Sequence, residues 1–231
     1  MGKISLSDFF RYYKHGNVNQ MEAVCLLESQ LPVSLLQDDS SWVTKYRESE
    51  PAPDPSNYFT PEMMGELTGY SPDSFDSVFC NDCNRLFAET GFSDHLEAAQ
   101  MLMANMMHET CNFKYMKEIA DGWAYEGRSD LGNTQTNDGP KYKGAGVLQL
   151  TGRHNYQRLA NGLGDQRVME GVNYVSDTYP FTSAKIWIEE NNLLSVCLNQ
   201  GFEACCVRIN GGHNGYNDRV TKYRVCQRVM N

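Results

Sequence analysis

Apolar residues recur at three- and four-residue steps through DHLEAAQMLMANMMHETCN, at Leu96, Ala99, Met103 and Met106. That spacing predicts a buried helix. Asp94 and Glu97 read as a capping box at its start, and Asn112, which tolerates the left-handed conformation, marks its end. Glu109 follows Leu102 by seven positions and Ala98 by eleven, so its carboxylate falls in line with the apolar stripe rather than on the solvated face. A carboxyl group held there suits a proton donor; the alternative is a glutamate at a helix end that simply reaches water.

From Ser7 to about Arg47 the pattern is helical, with Asn19 and Glu22 as a second capping box. Residues Glu48 to Asn57, ESEPAPDPSN, place three prolines among acidic and small residues, as a stiff exposed connector does. The expected organisation is therefore an N-terminal helical segment, 1–48, docked on the body or serving as an attachment module, a connector, 49–57, and a main domain, 58–231. Thr60 and Pro61 start a short helix closed by Gly69, and Ser71 and Pro72 start another whose Phe75, Phe79, Leu86 and Phe87 belong to the core. After Gly122 the chain turns rich in glycine, asparagine and charge, predicting a small irregular hairpin or set of loops. A helix from about Ser183 and a terminal helix carrying Arg219 complete the chain.

Composition narrows the function. The 231 residues carry a formal charge of -9, which excludes a general attraction to nucleic acid and fits an anionic polymer poorly, so any polymer must be recognised in a groove. No run of eighteen apolar residues exists, so no integral membrane segment is expected, and MGKISLSDFF lacks the features of a secretory signal. Of the eight cysteines, most are expected to be buried thiols; the lone CxxC at Cys80 and Cys83 lacks two further ligands at metal-site spacing. GAG at Gly144–Gly146 is not a phosphate loop, and HET, without a second histidine at helical spacing, is not a zinc motif.

The strings HETCNFKYMKE, YEGRSDLGNTQ, NDGPKYKGAGVLQLTGRHNY and INGGHNGYNDR, in that order from about Leu96 to the C-terminus, resemble glycoside hydrolase family 19, the chitinases and phage endolysins. Two positions depart from the family pattern: Cys111 stands where glycine usually follows HET, and Ala145 replaces an arginine. The resemblance implies a mainly α (α+β) lysozyme-like fold, a helical body with a small hairpin or loop lobe flanking a cleft. It also implies Glu109 as general acid, needing neither metal nor organic cofactor.

Hydrolysis with inversion needs one carboxylic acid on the leaving oxygen and one carboxylate on water at the opposite face, with the two groups roughly 6.5–9.5 Å apart. Two residues are candidates for the base, with Glu126 preferred to Glu118. Glu126 sits where the family loop carries its second acid, and Glu118 has a spacing from Glu109 that matches lysozyme-like phage enzymes. Were the helix to continue, Glu118 would point to the opposite side, nine steps of about 100° away, so a chain reversal is required. Without a catalytic role, Glu118 would be a loop charge beside Lys117, and Glu126 an ion pair with Arg128. By resemblance Thr151 orients the water beside Gln149, although a threonine there also suits a helix cap for GRHNYQRLA. The resemblance further implies substrate contacts from His108, Tyr142 and Asn210, and from Arg219 near the acids.

The expected function is a phage endolysin that cuts β-1,4 bonds of bacterial peptidoglycan, made in the host cytoplasm and reaching the wall without its own signal, and acting as a monomer. The alternatives are a chitinase and a non-catalytic wall-binding or virion protein.

Overall fold

The computed structural model describes residues 58–230 together with two short strands, β1 (Ile4–Ser5) and β2 (Leu36–Gln37). The chain divides into two compact units, Met1–Pro53 and Asp54–Asn231. In the first, β1 and β2 pair in parallel, Ile4 with Leu36 and Ser5 with Gln37. The helical pattern expected over Ser7–Arg47 and the proline-rich connector lie outside the described residues.

The second unit is built on α-helices. Helix α1 (Pro61–Thr68) begins where the Thr60 side chain accepts from the Met63 N–H, has proline in its first turn, and ends on Gly69 at φ 79°. These are the signals the sequence carries. Pro72–Ser74 forms only a 3-10 turn, and α2 (Ser77–Glu89) starts afresh from Asp76, whose carboxylate caps the Phe79 N–H at 2.8 Å. Phe75, Leu86 and Phe87 are buried.

Helix α3 (Leu96–Glu109) is the axis of the larger core. Every residue from Ala98 to Met107 is buried, and Ala, Leu, Met and Gln are strong helix formers, so propensity and burial agree. Truncating Met103, fully buried at the centre, would cost about 2–5 kcal/mol. The expected capping box does not form. A 3-10 turn at Phe92–Asp94 takes up Asp94, His95 becomes the N-cap with no side-chain bond, and Glu97 accepts instead from the Tyr223 hydroxyl at 3.3 Å. Leu96 accordingly faces solvent.

Past Glu109 the chain reverses through three consecutive non-glycine residues in the left-handed region, Cys111, Asn112 and Phe113 (φ 56°, 58° and 67°). Thr110 holds this reversal: its hydroxyl donates to the Met106 carbonyl at 2.7 Å and accepts from the Phe113 N–H at 2.9 Å.

A second, smaller core lies under the lobe that follows. It gathers Tyr142 and Ala145 with residues of α5 (Arg153–Leu163) and α6 (Val172–Thr178). In place of a hairpin the lobe has two isolated antiparallel pairings, Lys117 with Ala145 and Ala145 with Leu150, set among 3-10 turns and the four-residue helix α4 (Asp138–Lys141). Glycines and short polar residues give it turns rather than a ladder. Buried Asp82 of α2 ties the chain beyond this lobe to the main core by accepting from the Phe181 and Thr182 N–H groups at 2.7 and 3.0 Å.

Helices α7 (Lys185–Glu190), α8 (Leu193–Asn210) and α9 (Tyr216–Val229) complete the unit. α9 packs along α3, and α8, bent at Gly201, packs against α3 as well. Among the described residues no helix is long and apolar enough to cross a membrane.

Candidate active site

Glu109 closes α3 with its side chain 28% exposed, and it forms an ion pair with Arg219, of which only 1% is exposed. The other terminal nitrogen of Arg219 donates to Asn105 Oδ1 at 2.6 Å. Asn105 sits four residues, about one turn, before Glu109, so α3 presents both acceptors to α9. Asn105 was not among the expected site residues; an asparagine inside an apolar helix, one turn from a candidate acid, is the sequence signal that marks it.

His108, one residue earlier, turns to another part of α9. Its Nδ1 lies 2.6 Å from Asp218 Oδ2, and its ring lies against Gly215, where a Cβ would collide with it. Burial works against ionising Asp218, but the hydrogen bond to His108 and the charge of Lys222 prevail and hold its carboxyl below the ordinary range. His108 therefore ties α3 to the start of α9.

Glu118 lies in the lobe. Its N–H donates to the Gly144 carbonyl at 2.9 Å, while its carboxylate accepts the Gly144 N–H at 2.8 Å and the Tyr125 hydroxyl at 3.0 Å. Burial and then the bond to Glu118 raise the Tyr125 hydroxyl above its ordinary pKa, so it stays a donor. Next to Gly144 lies the Gln149 side chain. Gln149 has φ 55°, and its amide nitrogen donates to the Gly146 carbonyl at 2.8 Å, closing the turn. Thr151 donates its hydroxyl to the Gln149 carbonyl at 2.9 Å, and Gly152, not Thr151, is the N-cap of α5. The Thr151 oxygen keeps its lone pairs for another donor. Lys117, beside Glu118, is engaged with Asp177 at 3.0 Å.

Glu126 is used differently. One carboxylate oxygen accepts the Asn137 N–H and the other the Gly139 N–H, both at 2.8 Å. These donors lie at the start of α4, which has no side-chain cap of its own. Glu126 takes that role. Its expected partner Arg128 pairs with Asp130 instead.

Two other expected contacts sit apart from these groups. Tyr142 is 1% exposed inside the smaller core, edge-on to Tyr156, with its hydroxyl on the Met169 carbonyl at 3.2 Å. It cannot meet a sugar, because its aromatic body fills the lobe's core; this corrects its expected role. Asn210 ends α8 half-buried and donates to the Asn214 carbonyl at 3.4 Å. The structure thus groups Glu109, Asn105 and Arg219, and separately Glu118, Tyr125, Gln149 and Thr151. Among the described residues no cluster of His, Cys, Asp and Glu fits a metal ion.

The chain is 35% identical over 109 residues to a Haemophilus influenzae protein named as a glycosyl hydrolase family 19 domain-containing protein, covering 46% of this chain and 52% of that one. It is 28% identical over 158 residues to the acidic endochitinase SP2 of Beta vulgaris, covering 64% and 54%. A solved bacterial family 19 chitinase superposes with a TM-score of 0.56 at 19% identity, over 74% of this chain and 95% of that one. The chain is glycoside hydrolase family 19-like. It spans about half the length of the curated relatives it matches, and no protein-family model matches it. The fold of this family 19-like chain is the mainly helical, lysozyme-like one that the resemblance implies.

Proposed function

We propose that the chain is a glycosidase that cleaves β-1,4 bonds of an N-acetylhexosamine polymer by single displacement, with Glu109 as acid and Glu118 as base. Glu109 takes up a proton from solvent and gives it to the glycosidic oxygen while Glu118 takes a proton from water, and the water oxygen attacks the anomeric carbon from the face opposite the leaving group. Glu109 ends as an anion beside the Arg219 guanidinium, which stabilises that charge. Glu118 ends protonated, and exchange with solvent resets both. Thr151 and Gln149 are the neutral groups suited to hold the water.

The observation that carries this assignment is the different use of two carboxylates. Both oxygens of Glu126 are taken by backbone N–H groups at a helix start, whereas Glu118 rests on one N–H and a tyrosine hydroxyl beside the Gln149 turn. Each carboxylate keeps lone pairs for a water proton, but only Glu118 does so next to Gly144, against which the Gln149 side chain lies. Exposed Trp123 and Ile119, close to Glu118 in the chain, offer apolar surface to a sugar ring.

Peptidoglycan is the proposed polymer and bacterial lysis by a phage endolysin the proposed role, the protein being made in the host cytoplasm and released to the wall. Chitin is the second reading, favoured by the relatives named endochitinases. Release of reducing ends from purified peptidoglycan and from colloidal chitin tests both. Wild type should act on peptidoglycan, and Glu109→Gln should lose roughly 10²–10⁴-fold. Cleavage of chitin alone would move the assignment to the second reading, and wall binding without cleavage would reject catalysis.

A further inference from the structure

A groove of about 320 Å³ runs between the end of α1 and the outer side of α9, near the lower limit for small-ligand pockets, roughly 300–1,000 Å³. Its walls carry charges of both signs: Glu66 on α1, and Asp218, Lys222 and Arg228 on α9. Its inner end is formed by Met107 and Asn112, which flank Glu109 in the chain, and by the same Asp218 that holds His108.

The groove is built around Lys222. Its ammonium donates to Asn112 Oδ1 at 2.8 Å and lies 3.5 Å from Asp218 Oδ2, with the side chain 15% exposed. An ammonium has three protons, and these two partners leave one for an incoming acceptor. Asn112 is held in turn by its own amide, which donates to the Thr68 carbonyl at 3.3 Å. The left-handed turn after Glu109 therefore bridges the acid's helix to this groove. Across from the cations, Glu66 is exposed on α1. A ligand that matches such walls carries a carboxylate for Lys222 and an amine for Glu66. Chitin offers neither charge; the short peptide borne by a peptidoglycan strand offers both.

We propose that this groove binds the stem peptide of a peptidoglycan strand and so favours peptide-bearing strands over uncharged glycans. The inference rests on the peptidoglycan reading above and supplies its specificity. Lys222 and Glu66 are the determinants, and neither takes part in the chemistry.

Two measurements on the full chain test it. The first is calorimetric titration with the free tetrapeptide L-Ala–γ-D-Glu–meso-diaminopimelate–D-Ala. Wild type should bind it saturably, and Glu66→Gln and Lys222→Gln should each weaken binding up to roughly fivefold, the scale of a partly exposed ion pair. The second is kcat/KM on peptide-bearing glycan divided by that on glycan stripped of peptide by an amidase. That ratio should exceed one in wild type and fall by a similar factor in both variants, through KM rather than kcat. No saturable tetrapeptide binding, or a ratio unchanged by Glu66→Gln on the exposed face of α1, would overturn the proposal. If the tetrapeptide binds as expected but no glycan is cut, the groove stands and the catalytic reading falls.

Discussion

Replacing Arg219 with methionine removes the cation shared by Glu109 and Asn105. Arg219 is 1% exposed, and both of its bonded nitrogens face α3. Breaking a buried ion pair by deleting one partner costs about 3–5 kcal/mol. Two local features set where in that range the loss falls. The Glu109 side chain is 28% exposed and regains water once the arginine is gone, which favours the low end. Asn105 is fully buried, and its Oδ1 then loses its donor, a loss of about 1–3 kcal/mol by itself. The expected total is near 3 kcal/mol, which lowers Tm by roughly 6–12 °C for a chain of this size. Thermal unfolding followed by circular dichroism reads it, and the double variant Glu109→Gln with Arg219→Met should be less destabilised than the two single losses summed. A Tm for Arg219→Met within about 2 °C of wild type would refute the view that this pair anchors the end of α3.

The other expectations concern the lobe. Glu118→Gln should lose roughly 10²–10⁴-fold in turnover, whereas Glu126→Gln should lose about 1 kcal/mol of stability as a weakened helix cap and keep most of its activity; reducing-sugar assays and denaturant melts on both variants check this. Asp138 is buried, and bonds from Arg153 at 2.8 and 2.6 Å hold its carboxyl below the ordinary range. A depressed folded value adds stability above the unfolded pKa of about 3.9, and that stability drains away as pH falls through the folded value. Urea midpoints at pH 7 and pH 3 should therefore differ more for wild type than for Asp138→Asn. At Gly122, φ is 86° and a Cβ would stand 2.8 Å from the Gly139 carbonyl oxygen, so Gly122→Ala should shift the turn that aims Tyr125 at Glu118. Lower stability together with lower kcat is the expected result, and an unchanged kcat would separate that turn from catalysis.

The helical frame was legible because burial and periodicity coincide there. α3 reads as buried from its methionines and alanines, and α1 from Thr60, Pro61 and Gly69. Its capping box failed because a cap depends on the entering chain, and Gly91 turns that chain into a 3-10 segment that occupies Asp94. The lobe was the least legible part. Glycine and asparagine announce turns, but whether they close into a ladder depends on registers that composition does not encode. The two base candidates differ in the donors they meet, the Gly144 N–H and the Tyr125 hydroxyl for Glu118 and the Asn137 and Gly139 N–H groups for Glu126, and these lie 26, 7, 11 and 13 residues away along loops. Tyr142 stands within a string that carries the resemblance, yet a tyrosine that packs and one that binds have the same letter. Only the second core, closing round it, distinguishes them.

The central claim is that water, activated by Glu118, attacks opposite the bond that Glu109 protonates. Proton NMR of the sugar freshly released from a β-1,4-linked strand tests it most directly. The α-anomer should appear first and then mutarotate, in wild type and not in Glu118→Gln. A first product with the β configuration would contradict single displacement, and with it the roles assigned to both carboxylates.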